Sequence, residues 1–239
     1  MPIKVLGRFH ELSLPTGDIR ASVEFYERLG FLQATTADGL PHPYGVVTDG
    51  RLVLGLHQGG VQSACITYVR PEVAQLCNVL EARGIELALR SIGPDVFNEI
   101  GFADPSGHCI RVIEARTYSP VSAPAAGSVS GYFRELSLPT RDFEAAQRFW
   151  EPLGFVALES ESEPYASLPL TSDYLDITFH SPATCPEPML VFAEDDMSAR
   201  IERLTAQGLA LTRAPASLAP RANALLRAPE GTLLLLRTA

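Results

Sequence analysis

Runs of Lys or Arg are missing from this 239-residue chain, and so are long apolar stretches, C-x-x-C pairs and phosphate-cradling glycine loops. With a formal net charge of −9 and no basic cluster, the surface repels a nucleic-acid backbone or an anionic membrane face. Neither partner is expected. The longest late apolar run, Leu233 to Leu236, is far too short to span a bilayer, and the opening MPIKVLGRFHEL has no signal-length apolar core. A cytoplasmic location follows as the default. The four cysteines, at 65, 77, 109 and 185, show no metal or redox spacing, so they are expected to be reduced and mostly buried. No G-x-S-x-G elbow exists, which removes the nucleophilic hydrolase reading.

What the chain does have is a repeat. FHELSLPTGDIRASVEFYERLGF from Phe9 and FRELSLPTRDFEAAQRFWEPLGF from Phe133 share 14 of 23 positions at an offset of 124. With 46% hydrophobic and 20% charged residues, two folded halves of ordinary size are accommodated. Within the first copy, ELSLP alternates as a strand, Asp18 caps a helix through Leu29, and Gly30 stops it. Three short strand candidates follow, so the unit reads βαβββ. The same grammar recurs from ACITYV, from residue 131 and from residue 188, with Gly84 and Gly208 as helix stops. TYSPVSAPAAGSVSG separates the second module from the third and has linker composition. The division expected is 1–117, a linker at 118–130, and 131–239.

The stretches LPTGDIRASVEFYERLGF, LPTRDFEAAQRFWEPLGF and FADPSGHCIRVIE resemble the vicinal oxygen chelate superfamily, which includes glyoxalase I, extradiol dioxygenases, fosfomycin-resistance enzymes and bleomycin-binding proteins. The resemblance implies an α+β fold in which four βαβββ modules form two tandem domains. Each is a cupped eight-stranded mixed sheet with its helices outside and the ligand or metal inside.

Metal-dependent members place His, Glu or Gln on the first and last strands of these modules. By ungapped counting, this chain has Glu11, Cys65, Glu135 and Met189 at the first-strand positions, with Arg111 and Leu235 on the last strands. A permanently cationic guanidinium has no lone pair for a metal. No metal cofactor is therefore favoured. Glu11 and Arg111 are expected to pair across the N-terminal cup floor and to act as the catalytic residues of acid–base lyase or isomerase chemistry. Ser13, His57 and Thr67 join them as ligand-binding residues around a small organic molecule.

In the other half, YLDITFH turns Asp176, Thr178 and His180 to one face and resembles the metal-binding L-E-L-T strand of glyoxalase I. Glu135, Asp176 and His180 are thus the alternative set for a divalent metal (Zn, Fe, Mn or Ni) in a lyase or dioxygenase. A drug-sequestering protein without catalysis is the third reading, and a homodimer is compatible with all three. His10 is expected to face the helix side, His42 to sit in a surface turn and His108 to be exposed. Phe25-Tyr26 and Phe149-Trp150 are expected in the core.

Overall fold

The computed structural model describes residues 5–35, 42–115, 128–162, 165–214, 218 and 222–239. Four βαβββ modules follow one another. The first holds β1 (Arg8–Pro15), α1 (Ile19–Arg28), β2 (Leu32–Ala34), β3 (Tyr44–Thr48) and β4 (Val53–His57). The second holds β5 (Cys65–Arg70), α2 (Val73–Glu81), β6 (Leu89–Ser91), β7 (Glu99–Ala103) and β8 (Cys109–Glu114). The third runs β9 (Tyr132–Pro139), α3 (Phe143–Trp150), a 3-10 turn at Glu151–Leu153, β10 (Val156–Ala157), β11 (Ser167–Thr171) and β12 (Ile177–His180). The fourth runs β13 (Met189–Ala193), α4 (Met197–Ala206), β14 (Leu211–Thr212), β15 (Ala222–Arg227) and β16 (Leu233–Arg237).

The helix starts follow the sequence signals. Asp18 accepts a hydrogen bond from the Ala21 amide at 3.0 Å, and Asp142 accepts one from the Ala145 amide at 2.9 Å. Gly30 takes φ +91° just past α1, the left-handed turn that a side chain resists.

Each pair of modules forms one mixed eight-stranded sheet, ordered β2-β3-β4-β1-β5-β8-β7-β6 and β10-β11-β12-β9-β13-β16-β15-β14. The central strands, β1 with β5 and β9 with β13, pair antiparallel, whereas β1–β4, β5–β8, β9–β12 and β13–β16 are parallel. Alternation then sorts the side chains. Leu12, Leu14, Leu54, Leu56, Ile66 and Ile110 enter a core cluster that continues without a break into the second half. The opposite face of the first sheet lines a cup, as does that of the second.

The halves hold each other through the repeated helix. Tyr26 on α1 donates to Glu230 at 2.6 Å, in the turn before β16, and Trp150 on α3 donates to Asp104 at 3.3 Å, in the turn before β8. Both aromatic side chains are fully buried, as the sequence leads one to expect. His108 departs from expectation: it is largely buried, and its Nδ1 lies 2.9 Å from Asp104. Desolvation by the shared core and the charge of Glu230 push the Tyr26 hydroxyl well above its ordinary pKa. Most of the expected 118–130 linker lies outside the described residues. At its end, Val129 N and Ser128 Oγ both donate to the Leu29 carbonyl at 2.8 Å.

Because one core serves both halves, separate chains of residues 1–117 and 128–239 produced together are expected to purify as a single complex. Tyr26→Phe, which removes a donor from Glu230, is expected to lower its stability by about 1–2 kcal/mol in denaturant titration. Two independently soluble, non-associating fragments would contradict the shared core.

Candidate functional site

Register alone brings the polar residues of the N-terminal cup together. Glu11 opposes Thr67, Thr67 opposes Arg111, Ser13 opposes Cys65 and Gly55, and Pro15 opposes His57, which opposes Tyr44. Partners in a ladder point to the same side, so Glu11, Ser13, Tyr44, His57, Thr67 and Arg111 share one face.

Glu11 is 2% exposed and is the hub. Its Oε1 accepts from Ser13 Oγ at 2.6 Å and lies 2.9 Å from His57 Nε2, and its Oε2 accepts from the Tyr44 hydroxyl. Ser13 in turn meets Thr67 Oγ1 at 2.7 Å. A Cβ at Gly55 would collide with the carboxylate, so only glycine leaves room for Glu11. Burial pushes the Glu11 pKa up. The hydrogen bond with His57, the charge of His10 and the hydrogen bonds from Ser13 and Tyr44 pull it down, and the pull prevails. Glu11 is therefore an ionised carboxylate. Desolvation and the Glu11 charge drive the Tyr44 hydroxyl far above its ordinary pKa, so Tyr44 stays a donor.

A chain of contacts leads outward. His57 is 1% exposed, and its Nδ1 lies 2.9 Å from Nε2 of His42. A carboxylate only accepts, so His57 carries a proton on Nε2 and turns Nδ1 to His42 Nε2. His42, expected in a surface turn, thus belongs to the site. Its pKa is lowered by desolvation, by His57 and by the Arg111 charge, with Glu99 opposing. His10 also differs from expectation. A bulge between Phe9 and Glu11 shifts the β1–β5 register and leaves His10 Nε2 3.8 Å from Glu11 Oε2, instead of on the helix side.

The expected Glu11–Arg111 ion pair does not form. Arg111 Nε donates to Glu99 Oε2 at 2.7 Å, and Nη2 reaches the same oxygen. Glu99 lies on the neighbouring β7, within easier reach than Glu11, whose oxygens already serve three donors. Tyr44, His42 and Glu99 are the residues that sequence reasoning passed over. The Tyr44–Val46–Thr48 alternation on β3 was the signal for the first of them.

The cysteines differ as well. Cys65 and Cys109 are ladder partners on β5 and β8 and form a disulfide, while Cys77 and Cys185 are free and buried. The pairing arises because two parallel strands bring residues 44 apart side by side.

The C-terminal cup has diverged. Thr178 donates to Glu135 at 2.7 Å, as the strand alternation predicts. Asp176 instead accepts from Thr171 at 2.7 Å at the exposed strand end. His180 is fully buried, with Nε2 3.0 Å from the Cys185 carbonyl and Nδ1 2.8 Å from Ser137 Oγ. A carbonyl only accepts, so Nε2 carries the proton and Nδ1 takes the Ser137 hydroxyl, which commits both ring nitrogens. The other side of this cup is filled by a separate apolar cluster of Met189, Val191, Leu218, Leu233, Leu235 and Cys185.

Neither cup fits a metal on its donors. In the first, the three positions carry a carboxylate already surrounded by donors, a disulfide sulfur and a guanidinium. In the second they carry Glu135, Met189 and Leu235. Among the described residues, no group of three His, Cys, Asp or Glu side chains is placed to hold an ion.

No family model matches the chain, and no curated relative matches it. Solved structures do. A catechol 2,3-dioxygenase superposes with TM-score 0.63 at 14% identity, over 98% of this chain and 88% of that one. Homoprotocatechuate 2,3-dioxygenase from Arthrobacter globiformis gives 0.67 at 16%, over 100% and 81%. The E323L mutant of the Brevibacterium fuscum enzyme gives 0.67 at 15%, over 98% and 72%. At these identities the likeness establishes the fold alone: the chain has the tandem βαβββ architecture, two mixed eight-stranded sheets, that these dioxygenases also have. Among the described residues, no helix is long and apolar enough to cross a membrane.

Burial holds the His180 pKa down at about 4, against an ordinary 6.5, with the Cys185 carbonyl opposing and the His108 charge assisting. The unfolded chain takes this proton near pH 6.5 and the native chain only near pH 4. Native stability should therefore fall as pH drops through that window, by about 3 kcal/mol from this group. Denaturant titrations at several pH values are expected to show that slope in the wild type and a flatter one in His180→Gln. Equal slopes would contradict the assignment.

Proposed function

We propose that the N-terminal cup binds a small organic molecule bearing a carbonyl or carboxylate and moves a proton on it without a metal, as a lyase or isomerase does. The observation that supports this most is the continuous chain from Glu11 through His57 to His42, with Arg111 close enough to lower the His42 pKa.

Glu11 is buried and already accepts from three donors, so it positions His57, and Ser13 and Thr67, at 0% and 1% exposure, position Glu11. His42 is the residue that meets the ligand as base. Its Nε2–H is committed to His57, which leaves Nδ1 to take a proton, and its depressed pKa keeps it neutral at pH 7. When the imidazolium forms, the His57–Glu11 pair behind it stabilises the new charge. The C–H bond beside the ligand carbonyl breaks, its proton passes to His42, and its electron pair moves onto the carbonyl oxygen. Arg111, held by Glu99, stabilises the negative charge on that oxygen. Return of the proton to a neighbouring atom completes an isomerisation; loss of a leaving group completes an elimination.

The dioxygenases named above share the fold, and a metal-dependent site in the C-terminal cup is the competing reading. It finds less support, because Glu135, Asp176 and His180 are each committed to a different partner.

A thermal-shift panel of aromatic and carboxylate compounds is expected to yield binders whose shift is lost in Arg111→Leu, an affinity loss of about tenfold or more. For such a binder, His57→Gln should retain binding yet slow solvent deuterium exchange at the carbon beside the carbonyl by about a hundredfold, read by NMR. Shifts equal in wild type and Arg111→Leu, or lost only in Glu135→Ala or Asp176→Ala, would overturn the proposal in favour of the other cup.

A further inference from the structure

A cavity of about 230 Å³ lies between the two halves, lined by residues of both, and its wall reaches Cys109 of the first sheet and Met189 and Leu233 of the second. Its walls are made by the duplication itself. Leu12 and Leu14 of β1 face Leu136 and Leu138 of β9, and Ile66 faces Leu190, each pair related by the offset of 124. All six side chains are buried and apolar. A dry cavity of about 150 Å³ lined by such residues admits benzene, so this one has space for a single ring with a short arm.

At the rim the repeat breaks down, and the break has a sign. Glu187 and Glu230 come from the second half, whereas the matching positions of the first half are Ser63 and Ser106. Glu187 is neutralised by Arg227 in a two-pronged pair at 2.7 and 2.9 Å. Glu230 is not. Its oxygens receive only the hydroxyls of Ser22, at 2.9 Å, and Tyr26, at 2.6 Å, and no cation among the described residues pairs with it. The basic side chain at the rim, His108, is turned to Asp104. A half-buried carboxylate held by two neutral donors beside an apolar cavity favours a cationic group.

We infer that this cavity is a second ligand site, independent of the cup, for a small apolar ring bearing one ammonium group, with the ring between the duplicated leucines and the ammonium on Glu230. The site bridges the halves, so its ligand also stabilises their association.

The test uses benzylamine, toluene and benzoate with the full chain, followed by calorimetry and by methyl NMR. Benzylamine is expected to bind saturably and to shift the Leu12 and Leu138 methyl signals, with toluene about tenfold weaker and benzoate weaker still. Glu230→Gln keeps both hydroxyl partners and should bring benzylamine down to the toluene level, whereas His57→Gln in the cup should change nothing. Leu138→Trp, which fills the cavity, should abolish binding. Were that variant to misfold, the methyl shifts in the wild type and the Glu230→Gln comparison would decide. No saturable benzylamine binding, shifts confined to other methyls, or undiminished binding in Glu230→Gln would overturn the inference.

Discussion

A carboxylate taken out of water must find donors inside the protein, because leaving a charge of that size unsatisfied costs several kcal/mol. Glu11 meets this constraint without a paired arginine or lysine. Ser13 and His57 come from its own and the neighbouring strand, Tyr44 comes from one strand further, and Gly55 gives up its side chain to make room. Each of these residues is placed by strand register, so the register of β1, β3, β4 and β5 and the charge of Glu11 specify each other. His57, once its Nε2–H is committed to Glu11, has only Nδ1 to offer His42. The orientation of the outer histidine is thus set two strands' width away from where the charge is buried.

The second cup shows what the same fold does without that constraint. Glu135 persists at the repeat position, but the strands opposite supply Met189, Val191, Leu233 and Leu235, which pack against one another. His180, the counterpart of His57, turns to a backbone carbonyl and a serine and becomes a neutral buried structural group. Polar satisfaction in one cup and hydrophobic closure in the other are two solutions to the same concave face.

Most of the fold was legible because its signals are local. The 23-residue repeat, the Asp18 and Asp142 caps, the glycine stops and the two-residue alternation of ELSLP and YLDITFH each report on neighbouring residues, and the structure carries all of them. The alternation also placed Glu11, Ser13, Thr67 and His57 on one face. What escaped depends on contacts between distant strands. The bulge that brings His10 to Glu11 is a single-residue slip with no composition of its own. The Cys65–Cys109 bond needs the parallel β5–β8 register, and the choice of Glu99 over Glu11 by Arg111 depends on which acid has an oxygen to spare. His42 sits in a Pro-rich turn that has no periodicity from which to read a direction.

The central claim is that buried, ionised Glu11 fixes the tautomer of His57 and so aims the relay at His42. Imidazole nitrogen NMR of the ¹⁵N-labelled chain at neutral pH tests it most directly. The account predicts that His57 is protonated on Nε2, with a hydrogen-bonded Nε2–H proton far downfield that moves markedly upfield in Glu11→Gln. A His57 protonated on Nδ1, or an Nε2–H signal unchanged by Glu11→Gln, would contradict it.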